Sequence, residues 1–99
     1  MEKLIGKEVI VRSNMAGVLF GTLKAKDGQE LTLTKARKFY YFAGANTVED
    51  LANKGSGNPS SCKLTVEVDE IVISEFCQIL PCTKKAVDNI KSISVWSYQ

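Results

Sequence analysis

The sequence predicts one α+β domain dominated by β-strands: a small antiparallel sheet, curled or closed as a barrel, with two short helices. Three observations support this fold class. Several short runs alternate apolar and polar side chains, a clear turn signal separates two of them, and two segments with helical spacing follow threonine caps. A chain of 99 residues can bury one core but not two, so we expect residues 1–99 to form a single domain.

The first two strands are predicted from this alternation. Val9 and Val11 fall on one face and their neighbours on the other, which indicates a strand over residues 7–13. A second strand is expected over residues 17–25, after a short polar turn. Two antiparallel strands joined in this way would start the sheet.

The connection to the third strand covers the polar residues 26–30. Its sequence is typical of a turn, and the third strand is expected to begin at residue 30. A three-residue loop at 27–29 is favoured over a two-residue Asp-Gly loop because it keeps apolar side chains together and pairs opposite charges. This register would pair Leu23 with Leu33, Ala25 with Leu31 and Lys26 with Glu30.

Two short helices are predicted from their caps. Thr47 followed by Asp50 has the spacing of a capping box and Gly55 is a stop signal, which together indicate a helix over 48–54. Thr83 can cap a second helix over 84–91. Further extended segments are expected at 63–68, at 71–73 (more fully buried), at 76–80 and at 93–96.

The composition removes most familiar catalytic machinery. The chain has no histidine, which excludes Ser-His and Cys-His nucleophile pairs and His-ligated zinc centres. Cys62, Cys77 and Cys82 form no C-x-x-C pair, so neither a disulfide framework nor a zinc ribbon is expected. Adjacent acids such as Asp69-Glu70 point to opposite faces of a strand. We therefore expect no enzyme activity, no metal and no cofactor.

Charge and hydropathy suggest a cytosolic protein with a small anionic ligand. The chain shows no apolar core of a signal peptide and no apolar run near the ~20 residues of a membrane helix, so no membrane partner is expected. The net charge is only +2. Residues 1–42 carry eight basic and four acidic side chains, and residues 43–99 carry five and seven. A long nucleic acid usually selects a stronger basic stripe, whereas a small anion needs only a few well placed cations.

One stretch is the strongest candidate for a binding site. Arg37 and Lys38 directly precede four consecutive aromatic residues, 39–42. On an extended segment alternate rings face opposite sides, so one pair can be core while the other is covered by a helix, a partner chain or a ligand. Aromatic rings stack on nucleobases, and arginine binds phosphate through two hydrogen bonds. Arg37, Lys38, Tyr40 and Tyr41 are therefore candidate ligand-binding residues, unless all four rings are core or subunit interface.

Three pairs of polar residues could complete the site: Arg12 with Asn14, Asn46 with Thr47, and Ser56 with Asn58. The first pair lies where the first strand ends and offers phosphate or base contacts, or is a solvated strand end. The second pair precedes a predicted helix, whose backbone N–H groups can bind an anion or be used for capping alone. The third pair lies in a polar loop over 55–61, which could close over a ligand or be mobile.

Short motifs along nearly the whole chain carry a family resemblance. They are Leu4-Ile5-Gly6-Lys7-x-Val9-Ile10-Val11-Arg12, Ala16-Gly17-Val18-x-Phe20-Gly21-Thr22-Leu23, Ala36-Arg37-Lys38-x-Tyr40-Tyr41-Phe42-x-Gly44-Ala45, Leu51-Ala52, Gly55, Pro59, Cys62-Lys63, Ile79-x-Pro81-x-Thr83 and Val95-Trp96. In this order they resemble a family of small proteins found widely in tailed phages. The chain also looks like the phage sponge proteins of the anti-CBASS and anti-Thoeris type, which sequester cyclic nucleotide signals of bacterial defence without chemistry.

The resemblance implies a homo-oligomer, with a tetramer as one option, ligand pockets near subunit contacts, and a location in the cytoplasm of the infected bacterial host. The basic and aromatic residues Arg37, Lys38, Tyr40, Tyr41 and Phe42 match the family's basic-aromatic stretch. Tyrosine and phenylalanine replace tryptophans that are frequent in the family, and Asn46 replaces a small apolar residue. These departures leave the identity of the ligand open.

The leading hypothesis is therefore sequestration of a cyclic dinucleotide or a cyclic ADP-ribose isomer. In this hypothesis Arg37 and Arg12 bind phosphates, and Tyr40 or Tyr41 stacks on a base. One alternative is a small-barrel module for single-stranded nucleic acid, which leaves nucleic acid open as a partner. Another is a phage structural or adaptor protein whose aromatic strip contacts a second protein. An enzyme is the least favoured class.

Overall fold

Six strands form one antiparallel sheet, and two short helices pack against it, in a computed structural model that describes residues 2–96. The sheet order is β4-β3-β2-β1-β6, with β5 paired to another part of β3, and the described strands do not close into a barrel. The predicted class, α+β with dominant strands, is thus confirmed in its open form. The elements are β1 (Glu8–Ser13), β2 (Gly17–Asp27), β3 (Glu30–Tyr41), α1 (Val48–Lys54), β4 (Lys63–Leu64), β5 (Val68–Ile73), β6 (Gln78–Pro81) and α2 (Lys84–Lys91), with 3-10 turns at Glu2–Leu4 and Pro59–Ser61.

A bulge bends the long β2–β3 ladder. β3 carries one residue more than β2 at Lys35, whose φ of 49° lies in the left-handed region. Gly21 of β2 lies opposite, where a Cβ atom would come within 3.0 Å of the Thr34 carbonyl oxygen. Because a bulge bends and twists its strand, the two halves of β3 can pair with different partners, β5 along residues 31–36 and β4 along residues 39–41.

The β2–β3 turn corrects the predicted register. Asp27 pairs with Glu30, so the loop has two residues, and Gly28 takes the first position with φ +62°. The predicted pairing of Leu23 with Leu33 is confirmed, but Ala25 pairs with Thr32 and Lys26 with Leu31. A second bulge, at Lys24, explains the difference, because it absorbs the residue that the three-residue loop was expected to contain.

The sheet is buried on both faces, and β1 shows how alternation sorts the side chains. Ile10 faces the helices and packs with Phe39, Leu51 and Ile90 in one core. Val9 and Val11 face the other way and pack with Leu33 and Ile73 in a second core on the opposite face of the sheet. The candidate site lies on the side of the sheet against which the two helices pack.

Both helices have the predicted bounds, and each begins directly after its predicted threonine cap. The hydroxyl of Thr47 accepts a hydrogen bond from the Asp50 N–H at 3.1 Å, and that of Thr83 accepts one from the Ala86 N–H at 3.1 Å. The Thr83 hydroxyl also donates to the Asn53 carbonyl at 2.7 Å, which ties the start of α2 to the end of α1. The two helices are therefore fixed relative to each other where the candidate site lies.

Three extended segments differ from their predictions. The strand expected over 63–68 is reduced to Lys63–Leu64, and the segment 93–96 forms a single parallel bridge between Val95 and Leu64. The strand β5, expected to be more fully buried, is mostly exposed because it pairs with β3 alone and turns only one face to the core. Among residues 2–96, no helix has the length and apolar character needed to cross a bilayer.

Candidate functional site

Arg37 occupies an interior position at the C-terminal end of α2. Its side chain is only 6% exposed. Its Nε donates to the Thr65 carbonyl at 3.1 Å, and its Nη1 donates to the carbonyls of Ile93 at 2.9 Å and Ile90 at 3.5 Å. The last carbonyls of a helix lack partners within the helix, and a cation there also complements the helix dipole. The geometry thus replaces the predicted phosphate contact of Arg37 with a structural one.

Burial has an electrostatic consequence at the same residue. Desolvation lowers the pKa of the Arg37 guanidinium, and the negative charge of Glu67 partly opposes this effect. Within the described residues, Nη2 of Arg37 is the one buried side-chain nitrogen or oxygen without a hydrogen-bond partner. The guanidinium is therefore held by main-chain carbonyls rather than by a carboxylate.

The four consecutive aromatic residues divide into a buried pair and an exposed pair. Phe39 is 5% exposed and meets Phe42 edge-to-face, with ring centroids 6.0 Å apart. Tyr40 and Tyr41 are 64% and 53% exposed. The expectation that alternate rings share a face, which places Phe39 with Tyr41 and Tyr40 with Phe42, is wrong because β3 bulges at Tyr40 against β4 and the alternation shifts by one residue. One pair is indeed core, as expected.

Arg12 and Asn14 lie at the end of β1, on the exposed surface. Nη1 of Arg12 donates to Oε1 of Gln78 at 3.3 Å, and Nε2 of Gln78 donates to Oε2 of Glu49 at 3.3 Å. The pKa of Glu49 is lowered chiefly by a backbone hydrogen bond, then by Gln78 and Thr47, with a smaller effect of Arg12. Arg12 is thus engaged with the acidic first turn of α1, and Asn14 belongs to the β1–β2 turn.

A cleft of about 540 Å³ lies between the β3–α1 connection, α1, the following loop and α2. We call it the Lys54–Lys85 cleft. Two predicted site residues, Asn46 and Ser56, line it. The other polar side chains that line it are Asp50, Lys54, Lys85 and Asn89.

The loop that follows α1 is a fixed wall of this cleft. The Asn89 amide forms two hydrogen bonds with the Ser56 backbone, accepting from its N–H and donating to its carbonyl, both at 2.8 Å. The Gly57 N–H donates to the Gly44 carbonyl at 2.9 Å. The Ser56 hydroxyl is buried and accepts from the Asn58 N–H at 3.0 Å. The first half of the 55–61 loop is therefore held in place, and the Ser56 hydroxyl, which also donates to the Ala43 carbonyl, ties the loop to the β3–α1 connection.

Two glycines make the close approach of these segments possible. Gly44 has φ +77°, and a Cβ there would lie 2.3 Å from the Asn58 nitrogen. Gly55 has φ +79°, and a Cβ there would lie 2.5 Å from Oδ1 of Asn89. Only glycine combines this backbone conformation with the absence of a side chain. The cleft thus has a preorganised backbone wall.

The cleft presents two exposed ammonium groups near amide groups. Lys54 ends α1, and Lys85 lies in the first turn of α2. Neither lysine forms an ion pair among residues 2–96, where Lys24, Lys84 and Lys91 do. Asp50 is the one acidic side chain among the lining residues, so the cationic groups are in excess. This arrangement can bind a compact anion by charge-assisted hydrogen bonds.

The remaining predicted residues lie outside the cleft lining. Thr47 caps α1, and Asn58 is exposed with its Oδ1 accepting from the Ser60 hydroxyl at 3.2 Å. Lys38 is exposed on β3, and its backbone pairs with Thr65. Arg12, Asn14, Arg37, Tyr40 and Tyr41 are also absent from the lining.

Sequence reasoning missed the two lysines of the cleft and Asn89. A partial signal existed, because Lys85 and Asn89 are four residues apart and so share one face of α2. The meeting of that face with the end of α1 depends on how the helices pack. For the described residues, no cluster of three or more cysteine, aspartate or glutamate side chains could hold a metal ion.

Comparison with known proteins places most of the chain in one family. A family model described as a domain of unknown function, DUF6948, matches residues 6–90. This range contains the sheet, both cleft lysines, and Gly44 and Gly55, where the segments of the cleft wall approach closely. No curated protein matches the chain.

Proposed function

We propose that the chain, which belongs to the family of this domain of unknown function, DUF6948, is a non-catalytic binding protein that sequesters a cyclic nucleotide. The ligand class is a cyclic dinucleotide or a cyclic ADP-ribose isomer, and its site is the Lys54–Lys85 cleft. Lys54 and Lys85 bind the phosphates in this proposal, and Asn46 offers an amide to the rest of the ligand.

The rigid cationic cleft is the observation that carries this proposal. Its volume of about 540 Å³ falls within the range of roughly 300–1,000 Å³ that is usual for small-molecule sites. Phosphates bound in a cleft need charge-assisted donors, which the ammonium groups of Lys54 and Lys85 supply. A wall that is already ordered lowers the entropic cost of binding. Sequestration requires only that the ligand binds tightly and is released slowly.

The cellular part of the proposal rests on the resemblance to phage sponge proteins. In that setting the protein removes a cyclic nucleotide immune signal in the cytoplasm of the infected bacterium, and so protects the phage from host defence. It acts as a homo-oligomer there. Light scattering on the purified protein tests the oligomer, and phage infection of a host with a cyclic-nucleotide defence system tests the role.

Thermal melts with a panel of cyclic dinucleotides, cyclic ADP-ribose isomers, linear dinucleotides and short oligonucleotides test the ligand class. A ligand at 100 times its dissociation constant stabilises the protein by about 2.7 kcal/mol. Stabilisation by one cyclic compound and recovery of that compound intact supports the proposal. A flat cyclic panel overturns it: a shift with oligonucleotides alone favours a single-stranded nucleic-acid module, and no shift at all favours a structural or adaptor protein.

A matched pair of lysine variants tests the location. Lys85→Ala removes one ammonium from the cleft and should weaken binding of the cyclic compound by roughly five- to a hundredfold. Lys84→Ala removes the same charge one residue earlier on α2, where the ammonium pairs with Asp88 at 2.8 Å, and should leave binding unchanged. Equal effects of the two substitutions would remove the cleft from the proposal.

A further inference from the structure

A second exposed feature of the molecule consists of two stacked aromatic rings. Tyr40 and Trp96 lie nearly parallel, with an interplanar angle of 13° and ring centroids 4.8 Å apart. They are 64% and 46% exposed, so the stack retains ring surface that faces solvent. Both belong to segments next to β4: β3 pairs with it, and Val95 bridges to Leu64. We call this feature the Tyr40–Trp96 stack.

A cation lies over one of these rings. The Lys63 ammonium is 5.2 Å from the centroid of the Trp96 ring, within the range of a cation–π contact. Lys63 is exposed and forms no ion pair among residues 2–96. The ammonium covers part of the Trp96 ring and can contact the phosphate next to a base that stacks on the ring surface still exposed to solvent.

A cleft of about 650 Å³ opens beside Trp96. The hydroxyl-bearing residues Ser60, Ser92 and Ser94 line it, together with Val95. The hydroxyls of Ser60 and Ser92 already donate to Oδ1 of Asn58 and to the Asn89 carbonyl, so they can accept hydrogen bonds from the polar edge of a base or a sugar. The cleft also adjoins the C-terminal end of α2, whose dipole does not favour a phosphate inside it. A base in the cleft with its phosphate outside, near Lys63, satisfies both features.

We propose that the Tyr40–Trp96 stack, Lys63 and this cleft form a binding surface for single-stranded nucleic acid, separate from the Lys54–Lys85 cleft. One base stacks on the exposed aromatic surface, a neighbouring base enters the cleft beside Trp96, and Lys63 contacts the phosphate between them. Aromatic side chains next to a cation are the usual components of such surfaces, and stacking accepts any base. A second copy of the chain is a poorer occupant, since lysine is depleted in protein interfaces.

The tryptophan gives a direct readout, because Trp96 is the one tryptophan in the chain. A base stacked on its ring should quench the fluorescence of the wild-type protein during titration with dT8 or rU8 at low salt. Fluorescence anisotropy of a labelled dT8 measures the affinity in parallel. Tyr40→Ala should weaken binding by roughly five- to 150-fold, the range that one stacked base contributes. Lys63→Gln should lower the slope of log K against log salt by about 0.7.

Two controls separate this surface from others. Met15→Ala removes another exposed apolar side chain, 88% exposed, in the β1–β2 turn and should leave dT8 binding unchanged. Lys85→Ala should weaken binding of the cyclic compound but not binding of dT8, so the two proposals can fail independently. Unquenched Trp96 with no anisotropy change overturns the inference. So does a fluorescence change that depends on protein concentration without oligonucleotide, which would indicate a second copy on the stack.

Discussion

Arg37 and the two cleft lysines show how the same charge takes different roles at different depths. Arg37 donates to the carbonyls of Ile90 and Ile93 and lies out of solvent. Lys54 and Lys85 lie at helix ends and keep their ammonium groups exposed at a cleft. An arginine before a run of aromatic residues suits a structural or a ligand-binding role, so the sequence alone could not decide between the two roles for Arg37. The packing of α2 against β3 decides it.

Removal of the Arg37 side chain should destabilise the fold. Arg37→Ala removes the side-chain donor from the carbonyls of Thr65 and Ile93 and empties an interior position, so we expect a loss of about 2–4 kcal/mol in the free energy of unfolding. Arg12→Ala, an exposed arginine, should cost less than about 0.5 kcal/mol. Urea denaturation of both variants measures the difference. Equal stabilities would contradict the structural role of Arg37.

Substitution of Gly44, where the backbone approaches Asn58 closely, should also destabilise the fold. Gly44→Ala would place a Cβ 2.3 Å from the Asn58 nitrogen in addition to the strain of φ +77°. Gly28→Ala is the matched control, because Gly28 has φ +62° but no atom within 4 Å of its would-be Cβ. The control should cost about 1–2 kcal/mol from backbone strain alone, and Gly44→Ala clearly more. Thermal melts compare them, and a smaller cost at Gly44 would contradict the close approach.

At the scale of elements, α2 organises the site along its length. Its first turn presents Lys85, its middle holds the loop through Asn89, and its end receives Arg37. Thr83 at its start ties it to α1. One short helix thus links the cleft wall, the cleft cation and the core.

Asn89 should act as a positioning residue for the cleft wall. Asn89→Ala removes both hydrogen bonds to the Ser56 backbone, so we expect a loss of about 1–3 kcal/mol in stability. The Ser56 amide should then exchange with solvent faster than in the wild type, while the amides of the sheet stay protected. Hydrogen exchange followed by NMR measures this. Unchanged exchange at Ser56 would show that the loop is held by other contacts.

The thiols at the two ends of β6 should differ in reactivity. Burial, and to a lesser extent the charge of Glu8, raises the pKa of the Cys82 thiol to about 12, so it stays protonated near pH 8. Cys77 is exposed and Cys62 is buried. Because the thiolate is the reactive form, one thiol of the folded protein should react quickly with a disulfide reagent at pH 8, and all three after unfolding. Mass spectrometry identifies the modified residue; rapid modification of Cys82 would contradict this environment.

At the scale of the molecule, local signals predict elements better than they predict surfaces. Thr47, Gly55 and Thr83 determine both helices because capping depends on neighbours in sequence. The bulges at Lys24, Lys35 and Tyr40 were missed because they depend on how strands bend around the cores. Each bulge shifts the alternation, and the one at Tyr40 decides which rings are exposed. The cleft was predicted only in part because only some of its residues have a local signal. Asn46 and Ser56 lie in connections next to α1, whereas Lys85 and Asn89 reach the cleft only through helix packing.

The most direct test of the central claim is NMR titration of the ¹⁵N-labelled protein with the cyclic compound that stabilises it in melts. The Lys54–Lys85 cleft predicts the largest shifts at the backbone amides of Gly44, Gly55 and Gly57, whose residues line it. These shifts should saturate with the same dissociation constant as calorimetry and be lost in Lys85→Ala. Saturating shifts confined to the Trp96 indole and its neighbours, with the three glycine amides unmoved, would contradict the claim.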